Sequence, residues 1–362
     1  MSIFSFRTLR GLRPRIPLAA IAAAAIVVGA EALLRSGWVA ATVTTPGGPV
    51  QIPEDIAEPR LTGYDPALWT ASETIGLRMK PGYRGILRKP DFVREVRLNG
   101  DGFHDHEFRE RALGETRVAV LGRSIVAANQ VTIDETWVNQ LEKRLDERTP
   151  NRRIELMNFG TPGHNNINRL ALLKEVVLPF EPDWVILHGS TDPLSQKYGG
   201  MQRLVEYRGY SLRYLNPSEI PLLERQVDAQ LTSLQFLPGR YLYLSRLLSL
   251  LRGAESNLRN TIRLGDHHKD KVDGRPYLLE MRQLCQERGI RFLYLTNGPI
   301  KHGRGIQWLR EAGFQVVRDV DFIDPGQPEL FWPGDPNHFT VQGNAAYAEA
   351  LTPALAALLA GG

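Results

Sequence analysis

Arg117-Val-Ala-Val-Leu-Gly-Arg-Ser124 decides the architecture. Four successive apolar residues, Val118 to Leu121, are too short a run for a helix. A glycine and polar residues follow them, so the stretch reads as a buried strand entering a turn. A helix is expected next, over 134–147. Trp137, Leu141 and Leu145 recur there at helical spacing, and Asp134 is placed to cap the first turn. The pattern then repeats: strand Ile154–Met157, helix 167–178, strand Trp184–Leu187. Further on come helix 275–288, strand Arg291–Leu295, a helix near 306–312, strand Gln315–Arg318 and an Ala/Leu-rich helix over 345–359. Strands that alternate with helices predict an α/β domain with a parallel sheet covered on both faces. A doubly wound, flavodoxin-like strand order, 2-1-3-4-5, is the expectation.

Outside this alternation the chain divides into regions of different character. Residues 1–15 form a basic tail with Arg7, Arg10, Arg13 and Arg15. Residues 16–35 are almost uncharged and about long enough to cross a bilayer. Positive charge ahead of an apolar run predicts a cytoplasmic N-terminus and an exported remainder, periplasmic in a bacterium. The run reads as a retained signal-anchor, with a signal peptide cleaved near Val28-Gly29-Ala30 as the alternative. Residues 36–112 form a linker and short lead-in strands, marked by turns such as Lys80-Pro81-Gly82 and Asn99-Gly100-Asp101-Gly102. The main domain is placed at 113–362. An insertion at about 193–270 is too long for a simple crossover. Its segment Tyr241–Leu251 reads as an apolar helix, either packed on the sheet or turned toward a lid, a membrane or a partner.

Composition excludes several classes of function. The chain carries 44 Lys+Arg against 40 Asp+Glu, and the four arginines of the tail account for the whole excess. No basic patch argues for nucleic acid. A single cysteine, Cys285, rules out an intrachain disulfide. His104 and His106 read as polar turn residues, and the His267-His268 pair as a solvated loop without a third ligand for a metal. His164 and His188 fall near the expected ligand rim and are open to either a pocket-lining or a structural reading. No cofactor or metal is called for.

Ligands bind open α/β sheets beyond the carboxyl ends of the strands. The first three strands end in Gly122-Arg123-Ser124, in Asn158-Phe-Gly160-Thr-Pro-Gly163 and in Gly189-Ser-Thr191-Asp192. Asp335-Pro-Asn-His338 precedes the last helix. The fold brings these four pieces to one rim, where serine, histidine and aspartate are the parts of an acyl-transfer site.

In order and spacing, the four pieces resemble the SGNH (GDSL-like) serine hydrolases, over about residues 75–358. The lead-in Gly76-Leu-Arg-Met-Lys-Pro-Gly-Tyr83 falls within that span. The resemblance implies a three-layer SGNH fold, with Ser124 as nucleophile, His338 as its base and Asp335 as the orienting carboxylate. It assigns the oxyanion-binding N–H groups to Ser124 and Gly160. Two positions depart from the family pattern: Arg123 stands where the family has Asp, and Thr191 where it has the oxyanion-binding Asn. Thr offers a single donor on a shorter side chain. Arg123 either pairs with Asp192, attracts an anionic substrate group, or plugs the site.

Two functions follow as expectations. One is a membrane-anchored, extracytoplasmic esterase or acyltransferase acting on acyl esters, with a cell-surface glycan as one candidate substrate. The other is a non-catalytic subunit of the same fold that docks on a membrane protein complex.

Overall fold

A computed structural model describes residues 66–89, 92–189, 195–196, 200–208, 210–214, 217–232, 272–296, 303–318, 327–333 and 335–360, together with residues 25, 26, 28, 29, 32, 44, 45, 48 and 49. The chain falls into two compact units. The larger spans Pro59–Ser233 and Gly253–Gly362. In the smaller, the described residues are a few helical positions, with Ile26 and Val28 exposed, and a two-residue ladder pairing Thr44–Thr45 with Gly48–Pro49. Most of the segment expected to span the membrane lies outside the described residues, as does Tyr241–Leu251. Among the described residues, no helix is long and apolar enough to cross a membrane.

Two antiparallel hairpins open the described part of the larger unit: β1 (Trp69–Ser72) with β2 (Gly76–Met79), and β3 (Arg84–Lys89) with β4 (Phe92–Arg97). Their inward side chains, among them Leu68, Trp69, Leu77, Met79, Leu87 and Val96, form a small core of their own. The main domain then alternates strand and helix. β5 (Glu115–Gly122) leads through the one-turn helix α1 (Ser124–Ala127) to α2 (Trp137–Arg148). β6 (Arg153–Gly160) is followed by α3 (Asn166–Leu172), and α3 by β7 (Trp184–Gly189). Within the insertion, β8 (Arg203–Tyr207) and β9 (Tyr210–Tyr214) make a hairpin ahead of α4 (Ile220–Thr232). α5 (Arg275–Glu287), β10 (Arg291–Thr296), α6 (Gly303–Glu311) and β11 (Gln315–Arg318) continue the alternation. A short strand β12 (Phe331–Trp332) pairs with β13 (Asp335–Phe339), and α7 (Val341–Ala360) closes the fold.

The five central strands lie in the order β6-β5-β7-β10-β11, and every pair is parallel. Numbered along the chain this is 2-1-3-4-5, as the alternation predicts. The period of two sorts the side chains into two cores. Val118, Val120, Ile154, Leu156, Trp184, Ile186, Leu293 and Leu295 face α2 and α7. Ala119, Leu121, Met157, Phe159, Val185, Leu187, Phe292 and Tyr294 face α3, α5 and α6. With both faces covered, the strands read as continuous apolar runs. Cys285 lies in the second core, where burial pushes its thiol up to about 12.

Three local features differ from expectation. The helix after β5 is capped by Thr136, whose side chain accepts the Asn139 N–H, and not by Asp134. Asp134 instead sits in a preceding 3-10 turn capped by Thr132. The helix after β6 departs from α geometry at Leu173–Val177, a π-helical turn, and ends in the 3-10 turn Leu178–Phe180. The insertion, expected to be helical, contains the β8–β9 hairpin as well as α4.

Among the described residues, the edge strand β6 has one side without a neighbouring strand, and side chains occupy it. Glu142 accepts the Leu156 N–H at 2.6 Å and Asp105 accepts the Asn158 N–H at 2.7 Å. Asp146 lies near the Ile154 N–H at 3.4 Å. Carboxylates thus take the place of a further strand and close an edge open to pairing with another chain.

Candidate active site

β5 and β6 run in register to their last residues, Gly122 opposite Gly160. Both glycines are required by the helix that folds back over them. A Cβ on Gly122 would run into Val126, and one on Gly160 into the backbone of Val126 and Ala127. α1 therefore lies directly on the strand ends, with Ser124 in its first position. Arg123 precedes it in an extended conformation and makes no side-chain cap. The Val126 and Ala127 N–H groups both bond the Arg123 carbonyl, at 3.1 and 3.0 Å, so the turn closes on the residue before Ser124.

The far end of this short helix is tied down from two sides. Asn158 donates through Nδ2 to the Val126 carbonyl at 2.8 Å. The His104 ring nitrogen Nδ1 bonds the Ala127 carbonyl at 2.9 Å. His104 is buried, and loss of solvation pulls its pKa down to about 4, so the ring is neutral and donates. It is a structural support for the serine-bearing helix and not a surface turn residue. Its distance along the chain from Ser124 hides this role in the sequence. Ala128 ends α1 in the left-handed region at φ 47°, where its N–H returns to the Ser124 carbonyl at 2.9 Å. His106, by contrast, is exposed and pairs with Asp134 at 2.9 Å.

β13, which carries His338, packs against α1, which begins with Ser124. His338 Nδ1 lies 2.7 Å from Asp335 Oδ1, and both side chains are largely buried. Thr340 follows directly and accepts the Gly343 N–H at 3.0 Å, starting α7 and fixing the end of the strand. Nε2 of His338 is buried and makes no hydrogen bond among the described residues. The bond to Asp335 selects the tautomer with the proton on Nδ1, which leaves Nε2 as the basic nitrogen.

Gly160 closes β6 beside α1. Its N–H donates to its neighbour's side chain, Asn158 Oδ1, at 2.9 Å. Gly160 also lies under α1, where there is no room for a side chain. The loop continues through a turn in which the His164 N–H bonds the Thr161 carbonyl at 3.2 Å, with Gly163 at φ 88°. Thr191 and Asp192 lie outside the described residues, as does the His267-His268 pair.

His164 and His188 are core residues. His164 Nε2 bonds the Leu77 carbonyl at 2.8 Å, and His188 Nε2 the Tyr347 hydroxyl at 3.1 Å. Desolvation, reinforced by nearby arginines, drives each down to about 3. Both rings are neutral at any ordinary pH. Arg169 on α3 is just as deeply placed, at 4% exposed. Its acceptors are neutral oxygens: His188 O at 3.1 Å, Asn165 O at 3.3 Å and Asn166 Oδ1 at 2.7 Å. Burial and the Arg123 charge lower it to about 10, which still leaves it cationic at neutral pH.

No family model matches the chain, and no curated protein does. Solved structures that match include ones described as a G-D-S-L family lipolytic protein and a GDSL-like lipase. TesA is 15% identical, over 66% of this chain and 98% of its own, with a TM-score of 0.37. The psychrotrophic esterase EstA from Pseudoalteromonas sp. is 12% identical, over 67% and 98%, with a TM-score of 0.38. A GDSL-like lipase from Bacteroides thetaiotaomicron is 11% identical, over 68% and 91%, with a TM-score of 0.34.

Proposed function

We propose that this chain is an SGNH-type serine esterase or O-acyltransferase, anchored by residues 16–35 with its α/β domain outside the cytoplasm, and acting on acyl esters such as those of a cell-surface glycan. The observation that carries the reading is the 2.7 Å His338–Asp335 bond on a strand packed against the Ser124 helix, with the other histidine nitrogen unengaged.

The chemistry follows from that arrangement. His338 Nε2 takes the proton of the Ser124 hydroxyl as Oγ bonds to the ester carbonyl carbon. Negative charge collects on the carbonyl oxygen, beside the N–H groups that open α1. The carbonyl re-forms, the bond to the alcohol oxygen breaks, and the proton on His338 passes to the departing alcohol. Water or a sugar hydroxyl then attacks the acyl-serine by the same route in reverse, giving hydrolysis or transfer. Asp335 stabilises the imidazolium while it carries the proton.

The competing reading is a non-catalytic subunit of a membrane complex. What favours it is the use of the Gly160 N–H by Asn158, together with Arg123 beside the nucleophile. A fluorophosphonate probe separates the two. Esterase or transferase function requires labelling of Ser124 that disappears in Ser124→Ala and in His338→Ala. A folded protein that stays unlabelled supports the subunit. Topology is tested by a reporter fused after Gly362, and activity of a cytoplasm-only reporter there would rule out the proposed orientation.

A further inference from the structure

Arg169 is a deeply buried cation held by neutral groups. Among the described residues, no carboxylate pairs with it. Its Nε donates to the Asn165 carbonyl, Nη1 to the His188 carbonyl and Nη2 to Asn166 Oδ1. These acceptors lie on two segments that flank the nucleophile's strand. Asn165 and Asn166 follow β6 and open α3, while His188 is the last residue but one of β7. β5 runs between those strands, with Gly122 opposite Gly160 on one side and Leu121 opposite Leu187 on the other. A Cβ on Gly122 would come within 3.2 Å of the His188 Cβ. The guanidinium therefore bonds chain on both sides of the strand end from which Ser124 departs.

The turn that carries Arg169 is itself fixed. Asn168 Nδ2 donates to the Ile75 carbonyl at 2.7 Å and to the Gln202 carbonyl at 2.9 Å, and Asn165 Nδ2 to the Gly200 carbonyl at 2.6 Å. The start of α3 is thus tied to the turn of the first hairpin and to the segment ahead of β8. Fastening of this kind does not need a charge, since an amide bonds neutral oxygens as well. Burying a cation without a counter-ion is costly. A fixed charge in a dry site does have a use where negative charge appears only in the transition state, because it is in place before the reaction begins. Acyl transfer produces such a charge on the ester carbonyl oxygen as Ser124 Oγ bonds to the carbon.

We infer that Arg169 serves acyl transfer through its charge: held beside the strand end that leads to Ser124, it favours the oxyanion without touching the reacting atoms. This inference rests on the esterase or acyltransferase reading. It adds a positioning residue outside the set of Ser124, His338 and Asp335, and it accounts for an arginine where a neutral side chain would make the same bonds.

The test compares wild type with Arg169→Lys, Arg169→Gln and Arg169→Met in the full chain. Hydrolysis of p-nitrophenyl acetate gives kcat and KM, a fluorophosphonate gives the labelling rate of Ser124, and denaturant unfolding reports the fold. Lys keeps the charge and loses the planar fork, whereas Gln keeps an N–H donor and loses the charge. Removing a charge that acts on the transition state alone lowers kcat and leaves KM nearly unchanged. Its indirect reach predicts a loss of about 10-fold in Gln and Met, below the roughly 10²–10³ of a direct oxyanion donor. Labelling should slow in parallel, and Arg169→Lys should stay within about threefold of wild type. An arginine that only fastens the two segments gives the opposite order, with Gln near wild type and Lys impaired. That order, or wild-type kcat in a folded Arg169→Gln, overturns the inference, and labelling of Ser124 then leaves the esterase reading standing. Should neither neutral variant fold, Arg169→Lys decides: kcat within about threefold of wild type supports the charge, and a loss of about 10-fold or more overturns it. Absence of both labelling and turnover in wild type removes the esterase reading, and this inference with it.

Discussion

The side-chain oxygen of Asn158 accepts the N–H of Gly160 at 2.9 Å, while its amide nitrogen donates to the Val126 carbonyl at 2.8 Å. One fully buried side chain thus links the end of the edge strand to the helix that begins with Ser124. Asn158→Ala would leave a buried N–H and a buried carbonyl unsatisfied, at roughly 1–3 kcal/mol each. Denaturant unfolding should show a loss of that size. Fluorophosphonate labelling of the variant under native conditions should also slow, because α1 loses one of its two ties. Unchanged stability would mean that water replaces the amide.

Gly160 itself has no room for a side chain. Gly160→Ala drives a methyl group into the backbone of Val126 and Ala127, neither of which can yield as a flexible side chain would. Overpacking of this kind costs about 1–3 kcal/mol. The larger effect is expected on reactivity, since displacing Ser124 by about an ångström can cost on the order of 100-fold. A variant that labels at the wild-type rate would show that α1 need not lie tight on β6.

The Asp335–His338 pair predicts an order of sensitivity. Ser124→Ala and His338→Ala should abolish turnover of an activated ester above background. Asp335→Asn should preserve the fold and lower kcat by up to about 10⁴-fold, because the amide favours the wrong imidazole tautomer. Equal kcat for wild type and Asp335→Asn would remove the carboxylate from the mechanism.

The carboxylates that close the edge of β6 make a prediction about pH. Burial raises Asp105 to about 6 and Glu142 to about 7, outweighing the N–H bonds each accepts. The neighbouring charges are mixed: Asp105 and Asp146 raise Glu142 further while Arg109 lowers it, and His106 lowers Asp105. Both groups hold protons in the folded state at pH values where the unfolded chain has released them. Their contribution to stability is therefore full below the ordinary carboxylate range and is lost as pH rises through 6 and 7. It amounts to the order of a few kcal/mol for the two together. Unfolding free energies at pH 5 and pH 8 should fall with pH in wild type, and less so in Glu142→Gln, whose amide oxygen still accepts the Leu156 N–H. An equal slope in both proteins would refute the assignment.

The sheet was legible because its strands are buried on both faces. Val118–Leu121, Ile154–Met157 and Trp184–Leu187 each read as apolar runs bounded by polar turns, and the strand order was expected from the flavodoxin-like, doubly wound pattern. The Asp335–His338 contact was legible as two residues of the right types, three apart, just before the last helix. Less visible were contacts between residues distant in sequence. Nothing local in Gly102-Phe-His104 shows that the histidine holds the Ala127 carbonyl, or that Asp105 acts as a strand substitute for Asn158. The bond from the Gly160 N–H to Asn158 Oδ1 was hidden for the same reason, since a side chain two residues earlier can accept a backbone N–H.

With the Gly160 N–H claimed by Asn158, the oxyanion rests on fewer donors than the family resemblance implies, and position 191 gains weight. Thr191 stands where that resemblance expects an asparagine. If oxyanion binding limits turnover, Thr191→Asn should raise the hydrolysis of a small activated ester by up to about 10²–10³, the value of one such donor. Ser124→Ala supplies the background, since surface groups hydrolyse activated esters slowly. Arg123→Asp, added to Thr191→Asn, should raise hydrolysis of a neutral ester further if the arginine obstructs the site. The same change should lower hydrolysis of an acidic ester if the arginine recognises the substrate, and opposite responses of the two esters would assign it that role. Activity of wild type, Thr191→Asn and the double variant indistinguishable from Ser124→Ala, in folded proteins, would exclude catalysis and leave the binding subunit as the function.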